Sequence, residues 1–301
     1  MASRDQARLF GVLGDPVDHS LSPAMHNAAF AATGLPHLYL RYRVPPDALA
    51  AAIAEARTLR MGGLNLTVPL KEAVLPLLDE VTPEAARIGA ANTLVFVGER
   101  GTLRGDNTDG RGFRAALRGR ARVRGAHAVV IGAGGSARAV TTALAAAGVA
   151  RITLANRTLA RGEALAERLE RLGATTAVVP LTALARGGVL DDAALVVNTT
   201  PLGLAGRRLA MRCAAAPRPC LFVDLVYASR PTPFLTGAAH AGHPTLDGAP
   251  MLLEQGALAF EAWTARRAPR AAMARALRAA GLTLTQPRRT ATVTARRPPR
   301  S

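Results

Sequence analysis

A glycine-rich turn in the second half of the chain places the strongest constraint on its fold. The turn Gly132-Ala133-Gly134-Gly135-Ser136-Ala137 follows a short apolar segment, residues 126–131, and precedes an alanine-rich segment, residues 138–147. A strand, a glycine turn and a helix in that order are typical of a dinucleotide site. The first glycine forms the turn, the next lets a pyrophosphate approach the backbone, and a small third residue allows close helix packing. The pattern predicts a Rossmann-type parallel sheet.

The residues after the next predicted strand indicate which dinucleotide binds. Residues 151–155 form that strand, which ends at Asn156-Arg157-Thr158. An NAD enzyme carries an acidic residue here for the ribose hydroxyl, whereas an arginine can pair with the extra phosphate of NADP. Arg157, with Arg161 one turn further along, therefore predicts NADP(H) as the cofactor.

The first half of the chain also alternates predicted strands and helices. Strands are predicted over residues 8–13, 38–44 and 63–67, and helices over residues 24–33, 47–60, 72–79 and 83–88. Strand, helix, strand at this spacing favours parallel pairing, and ligands of such sheets gather beyond the carboxyl ends of the strands. Thr67 and Lys71 follow the third strand at such an end. The chain is therefore predicted to be α/β, with two domains.

Lysine occurs once in the chain, at position 71, whereas the other 37 of the 38 basic residues are arginine. Arginine stays charged at any pH a protein meets, whereas a lysine ammonium can give up its proton. Lys71 is therefore the candidate for a proton-transfer group. A chance surface lysine is the alternative.

Polar residues gather at further turns. Ser20 and Ser22 precede a predicted helix, where hydroxyls and free N–H groups can bind a carboxylate or phosphate, although capping by Ser22 is the simpler alternative. The turn Gly105-Asp106-Asn107-Thr108-Asp109-Gly110 carries more polar side chains than capping of the next helix requires. A closing helix near residues 247–263 carries Gln255, the one polar residue of that helix that we place in a site.

The composition narrows the functional classes. The formal net charge of +17 would suit a nucleic-acid binder, but the arginines are scattered and aromatic residues make up only 4% of the chain. We therefore expect no nucleic-acid partner. No signal peptide, membrane span or metal site is expected. Cys213 and Cys220 lack metal-ligand spacing and are interpreted as ordinary thiols of a reducing compartment, which favours a cytoplasmic protein.

Together these motifs resemble those of the shikimate dehydrogenase family, in the same order along the chain. The resemblance extends from Leu9 to Leu282. It implies the reversible NADPH-dependent reduction of 3-dehydroshikimate to shikimate, a step of chorismate and aromatic amino acid biosynthesis. The motifs that carry it are Ser20-Leu21-Ser22-Pro23, residues 65–71, Ala91-Asn92-Thr93, residues 105–110, residues 132–137, Asn156-Arg157-Thr158 and residues 247–255.

The resemblance also implies residue roles. Lys71 and Asp109 would be the catalytic pair, which agrees with the need for a proton donor when hydride transfer leaves an alkoxide. The implied substrate-binding residues are Ser20, Ser22, Thr67, Asn92 and Gln255. The implied NADP(H)-binding residues are Gly132, Ala133, Gly134, Gly135, Ser136, Ala137, Asn156, Arg157, Thr158, Arg161, Leu225 and Gly248.

The resemblance divides the chain into domains. An N-terminal α/β substrate-binding catalytic domain with a mostly parallel sheet would span residues 7–113, completed by helices from residues 248–284. A Rossmann-type NADP domain would span residues 114–247. Residues 285–301 are expected to be a disordered basic tail.

Two alternatives to this function stay open. The chain departs from the family pattern at Ala249-Pro250, so a relative acting on quinate or aminoshikimate is one alternative. A non-catalytic ligand-binding relative is another, although the intact Lys71 and Asp109 argue against it. The residues do not distinguish a monomer from a homodimer.

Overall fold

Short apolar segments alternate with helices along the chain, and in the computed structural model they build two six-stranded sheets. The structure describes residues 6–98, 101–205 and 208–284. Unit 1 comprises the described residues up to Phe113 together with Met251–Leu284, and unit 2 comprises the described residues of Arg114–Pro250. The predicted α/β class is confirmed. The expected basic tail, residues 285–301, lies outside the described residues.

Unit 1 contains a mixed sheet in which parallel pairs predominate. Its strand order is β2-β1-β3-β5-β6-β4; β1 is parallel to β2 and β3, whereas β5 is antiparallel to β3 and β6. The strands are β1 (Leu9–Gly14), β2 (Leu38–Arg43), β3 (Gly63–Leu66), β4 (Glu80–Val81), β5 (Thr93–Val97) and β6 (Thr102–Asp106). The helices are α1 (Ser22–Ala32), α2 (Leu49–Thr58), α3 (Leu70–Ala73), α4 (Pro83–Ile88) and α5 (Asp109–Leu117), within which the chain passes into unit 2.

The polar turns lie at one edge of this sheet, beyond the carboxyl ends of β1 and β3. Leu13 of β1 lies opposite Leu66 of β3 in a parallel pair, so the segments after both strands leave at the same edge. Thr93 lies opposite Asn65 and Asp106 in the two antiparallel pairs, so β5 begins and β6 ends at that edge too. The turns after β1, β3 and β6 and the segment before β5 are therefore neighbours.

Three local expectations for this unit differ from the structure. A helix expected over residues 72–79 is the short α3 followed by a 3₁₀ turn, because Pro76 has no N–H to continue an α-helical ladder. The helix expected over residues 47–60 begins as a 3₁₀ turn before α2. The capping role considered for Ser22 is wrong, because Leu21 occupies the N-cap position and Ser22 is the first residue of α1.

Unit 2 contains a sheet in which every neighbouring pair is parallel, in the order β13-β12-β10-β7-β8-β9. The chain runs outward from β7 in one direction and then returns to the other side, so the carboxyl end of β7 is the switch point where ligands bind in such sheets. The strands of this sheet are β7 (His127–Ile131), β8 (Arg151–Asn156), β9 (Thr176–Pro180), β10 (Ala193–Asn198), β12 (Leu221–Asp224) and β13 (Thr245–Leu246); a further strand, β11 (Leu202–Ala205), is not part of this six-stranded order. The helices are α6 (Gly135–Ala146), α7 (Leu159–Glu170) and α8 (Pro233–His240), and the chain returns to unit 1 through α9 (Ala249–Thr264) and α10 (Arg270–Ala279).

No helix in the described parts of the chain is both long and apolar enough to cross a bilayer.

A buried carboxyl group ends β12 in unit 2. Asp224 is fully buried and accepts hydrogen bonds from Asn198 Nδ2 at 3.0 Å, the Val226 N–H at 3.0 Å and Thr232 Oγ1 at 2.6 Å. Loss of water disfavours the charged form more than these bonds favour it, so burial raises the pKa of the Asp224 carboxyl to about 6.

This carboxyl group should give the stability of the protein a pH-dependent component. With a pKa of about 6 in the folded state and an ordinary value of 3.8, Asp224 binds a proton that the unfolded chain lacks between those values. Its contribution therefore favours folding at low pH and is lost as the pH rises through about 6. Between pH ~4 and ~7, the free energy of unfolding of the wild type should fall relative to that of Asp224→Asn by up to about 3 kcal/mol. Urea unfolding of both proteins across this range measures the difference; parallel curves would contradict the prediction.

Candidate active site

The single lysine of the chain is buried against an aspartate. Lys71 lies in α3, shortly after β3 ends. Its Nζ donates to Asp109 Oδ2 at 2.6 Å, and the side chains of Lys71 and Asp109 are 11% and 5% exposed. A charge at this depth is costly unless it is paired, so each group needs the other. This burial excludes the chance surface lysine that the sequence left open.

Asp109 is held by its position at the start of α5, where the helix dipole favours a carboxylate. Its N–H donates to Asn107 Oδ1 at 3.0 Å. Asn107 Nδ2 in turn donates to the Ala90 carbonyl at 2.8 Å, which ties the turn after β6 to the segment before β5. No role for Asn107 is predicted from the sequence, although this turn carries more polar side chains than a cap requires.

Asn92 binds the second oxygen of the same carboxylate. Its Nδ2 donates to Asp109 Oδ1 at 2.8 Å and lies 3.0 Å from Thr108 Oγ1. Its Oδ1 accepts from the Thr108 N–H at 2.8 Å. Both oxygens of Asp109 are therefore hydrogen-bonded, one to a cation and one to an amide. The resemblance implies a substrate contact for Asn92 but gives no contact between Asn92 and Asp109.

Gln255 reaches this cluster from α9. Its Oε1 accepts from Asn92 Nδ2 at 3.3 Å, and its Nε2 donates to the Leu252 carbonyl at 3.0 Å. A Cβ atom on Gly112 would lie 2.8 Å from the Gln255 backbone nitrogen, so only a glycine at position 112 allows the two helices to approach this closely. The structure thus brings Lys71, Asn92, Asp109 and Gln255 together.

The hydroxyls predicted to bind substrate follow β1 and β3. Ser20 and Ser22 are each 6% exposed, and the Ser22 N–H donates to Ser20 Oγ at 3.3 Å. The Thr67 N–H donates to the Leu13 carbonyl at 2.9 Å, which ties the turn after β3 to β1. A Cβ atom on Gly14 would lie 2.3 Å from Thr67 Cγ2, so Gly14 leaves room for this threonine. All three hydroxyls lie beyond the same sheet edge as the Lys71–Asp109 pair.

The glycine-rich turn of unit 2 has room for a phosphate. Gly132 has a φ of +108°, a conformation that favours glycine, and a Cβ atom there would lie 2.6 Å from Thr199 Oγ1. A Cβ atom on Gly134 would meet no atom within 4 Å, so open space lies beside the start of α6. Ala133 and Ala137 are buried, Ser136 is partly buried, and Gly135 begins the helix. Free N–H groups at such a helix start bind anions, so these residues fit a dinucleotide pyrophosphate.

The end of β8 presents exposed arginines and no acidic residue. Arg157 and Arg161 are exposed, and within the described residues the Arg157 guanidinium makes no hydrogen bond or ion pair. Asn156 Nδ2 donates to the carbonyl of Thr158, the N-cap residue of α7, at 2.8 Å, which fixes the shape of this turn. An unpaired guanidinium beside a nucleotide turn fits the extra phosphate of NADP.

Leu225 and Gly248 are neighbours in unit 2. The Gly248 N–H donates to the Val226 carbonyl at 3.2 Å, and a Cβ atom on Gly248 would lie 2.1 Å from the Leu225 carbonyl oxygen. Only a glycine therefore fits at position 248.

In the described residues, no group of three or more His, Cys, Asp or Glu side chains could hold a metal ion.

Family models cover most of the chain. Residues 12–94 match the shikimate dehydrogenase substrate binding domain, residues 115–228 match shikimate / quinate 5-dehydrogenase, and residues 248–278 match the shikimate 5'-dehydrogenase C-terminal domain. The NADP(+)-dependent shikimate dehydrogenase of Moorella thermoacetica is 48% identical over 278 residues, which cover 90% of this chain and 93% of that protein.

Solved structures agree with these matches. Shikimate 5-dehydrogenase from Thermus thermophilus, in complex with NADP(H) and shikimate, is 42% identical with a TM-score of 0.79, covering 91% of this chain and 99% of that one. Quinate dehydrogenase from Corynebacterium glutamicum, in complex with NAD, is 32% identical with a TM-score of 0.81, covering 91% of this chain and 100% of that one. The backbone is thus about equally similar to both, whereas sequence identity is higher to the former.

Proposed function

The chain belongs to the shikimate dehydrogenase family, and we propose that it catalyses the reversible NADPH-dependent reduction of 3-dehydroshikimate to shikimate. It is an NADP-dependent oxidoreductase that acts on a CH–OH group. The observation that carries the proposed chemistry is the buried Lys71–Asp109 pair, with Nζ and Oδ2 2.6 Å apart. A paired lysine beyond a sheet edge lined with hydroxyls and amides suits proton transfer to a small polyhydroxylated acid.

The Lys71 ammonium supplies the proton in this mechanism. NADPH, when bound, supplies the hydride that reduces the ketone carbon of 3-dehydroshikimate. The ketone oxygen gains negative charge in that step, and Lys71 Nζ donates a proton to it. In the oxidative direction, the neutral Lys71 amine takes the hydroxyl proton back. Asp109 holds Nζ in place through both directions, and Asn92 holds Asp109.

The substrate carboxylate should bind at the turn after β1. Ser20→Ala combined with Ser22→Ala should raise the KM for shikimate by about tenfold or more, because hydrogen bonds to a charged group are lost. The dissociation constant of NADPH, measured by its fluorescence, should stay within about twofold of the wild-type value, because unit 2 is unchanged. If binding of both ligands were lost, the double variant would be misfolded; if neither were weakened, the serines would have no part in binding.

The cofactor preference should depend on Arg157. Arg157→Ala should raise the KM for NADP by about tenfold or more and leave the KM for NAD nearly unchanged, because only NADP carries the 2′-phosphate. Arg171→Ala, which removes an exposed arginine from the other end of α7, is the matched control and should change neither. Equal losses for NADP and NAD in Arg157→Ala would refute the assignment.

Product identification tests the proposed reaction directly. Purified protein should consume NADPH only when 3-dehydroshikimate is added, and mass spectrometry should find shikimate in equal amount. Unchanged 3-dehydroshikimate, with the protein folded, would refute it.

The two thiols, Cys213 and Cys220, are free, which supports a reducing compartment, and we place the reaction in the cytoplasm.

A further inference from the structure

A continuous chain of hydrogen bonds runs from the core of unit 1 to the carboxylate that holds Lys71. Tyr39 Oη donates to Asn65 Oδ1 at 2.8 Å. Asn65 Nδ2 lies 3.2 Å from Thr93 Oγ1, and Thr93 Oγ1 donates to Asn92 Oδ1 at 2.9 Å. Asn92 then donates to Asp109, as described above. The role proposed for Asp109 does not explain why Tyr39, Asn65 and Thr93 are linked to it by hydrogen bonds.

The orientation of each amide follows from partners that can act in only one way. The Thr108 N–H can only donate, so the Asn92 atom 2.8 Å from it is the oxygen, and the Asn92 nitrogen faces Asp109. The backbone carbonyl of Asn92 can only accept a hydrogen bond, so the Asn65 side-chain atom 3.0 Å from it is the nitrogen. Asn65 Oδ1 therefore faces Tyr39. A flip of either amide would place like groups against each other.

Because its residues are buried, this hydrogen-bond chain is sensitive to the loss of any one of its side chains. Tyr39 and Thr93 are 0% exposed, Asn92 is 2% exposed and Asn65 is 5% exposed. Water has little access to replace a missing partner, so each lost hydrogen bond leaves an unsatisfied group or lets an amide rotate.

The Tyr39 ring is itself held in place. His26 stacks on it with ring centroids 4.5 Å apart and an interplanar angle of 14°, and Trp263 packs at 6.0 Å. His26 is fully buried, and no hydrogen-bond partner for its ring nitrogens is present in the described residues. The tyrosine hydroxyl thus has a fixed position from which to orient Asn65.

We infer that Tyr39 and Asn65 are positioning residues for the reaction, which act through Thr93 and Asn92 to hold Asp109 against Lys71. This inference rests on the proposed function of Lys71 and Asp109. Neither residue is assigned a contact with substrate or cofactor, so their loss should lower the turnover number and leave the Michaelis constants nearly unchanged.

Tyr39→Phe tests this inference with the smallest change. It keeps the ring stack and removes only the hydroxyl, and it should lower kcat by about three- to tenfold, with both KM values within about twofold of wild type. Tyr42→Phe is the matched control, because Tyr42 lies on the same strand and its hydroxyl makes no hydrogen bond within the described residues. That control should keep wild-type kcat. Both variants are assayed well below their melting temperatures.

A double-mutant cycle separates positioning from general stability. In an Asp109→Asn background, Tyr39→Phe should lower kcat by less than about twofold, because the group it positions is already gone. A full three- to tenfold loss in that background, or unchanged kcat in Tyr39→Phe alone, would overturn the inference. Wild-type protein that oxidises no substrate would instead refute the proposed function, so the two failures are distinguishable.

Discussion

Replacing Lys71 with arginine should lower the turnover number by about 10²- to 10⁴-fold, the usual range for loss of a general acid–base group. Arginine keeps the positive charge and can still pair with Asp109, but its proton is bound too tightly to be transferred at working pH. Lys71→Ala should lower turnover by a similar factor. Steady-state rates of shikimate oxidation at saturating NADP measure both effects.

The comparison of the two Lys71 variants separates proton transfer from electrostatic clamping. If Lys71 served only to hold a charge in place, arginine would largely restore turnover and alanine would not. Binding of shikimate, measured calorimetrically, should weaken far less than turnover in both variants. Near-wild-type turnover in folded Lys71→Arg would contradict the mechanism even though the family assignment would stand.

Asp109→Asn should lower turnover by about 10²-fold or more, although the side chain keeps its size. Both Asp109 oxygens are acceptors, one for Lys71 Nζ at 2.6 Å and one for Asn92 Nδ2 at 2.8 Å. An asparagine offers one acceptor and one donor, so a donor must face either the ammonium or the Asn92 amide. Lys71 then loses both its counter-charge and its position.

A neighbouring carboxylate provides the control for this effect. Asp106 lies in the same polar turn, but its carboxylate is hydrogen-bonded to Thr82 and ion-paired with Arg111. Asp106→Asn should keep turnover within about threefold of wild type, because it leaves the proton-transfer pair intact. Equal losses of turnover in Asp106→Asn and Asp109→Asn would show that the effect is not specific to the carboxylate that pairs with Lys71.

Local sequence pattern was sufficient for the elements that carry the dinucleotide turn. Apart from His127, residues 126–131 are apolar, as a strand covered on both faces requires, and β7 is buried at every position. The first residue of the following turn, Gly132, has a positive φ, a conformation that favours glycine. The helix expected over residues 72–79 was wrong because Pro76, which has no N–H, interrupts the helical ladder despite the apolar spacing around it.

The contacts within the site could not be derived from local pattern. Asn92 and Asp109 are 17 residues apart and meet because the β5–β6 pairing returns the chain to the same edge. Gln255 is 163 residues from Asn92 and depends on the close approach at Gly112. Family resemblance supplied Asn92 and Gln255 as substrate contacts and Asp109 as a catalytic residue, but only the strand register and the close helix approach explain why they lie together. Tyr39 was missed because the alternation over residues 38–44 groups it with Arg41 and Arg43, whereas it is the one buried residue of β2. Asn65 was missed because it lies within β3, which is buried at every position.

The specificity constants kcat/KM of the wild-type protein for shikimate and quinate, each measured with NADP and with NAD, test the central claim most directly. The account predicts the highest value for shikimate with NADP, and a value lower by about tenfold or more when NAD replaces NADP, because the Arg157 contact to the 2′-phosphate is lost. Quinate should be oxidised more slowly with either cofactor. A highest value for quinate with NAD, or no oxidation of either substrate by folded protein, would contradict the account.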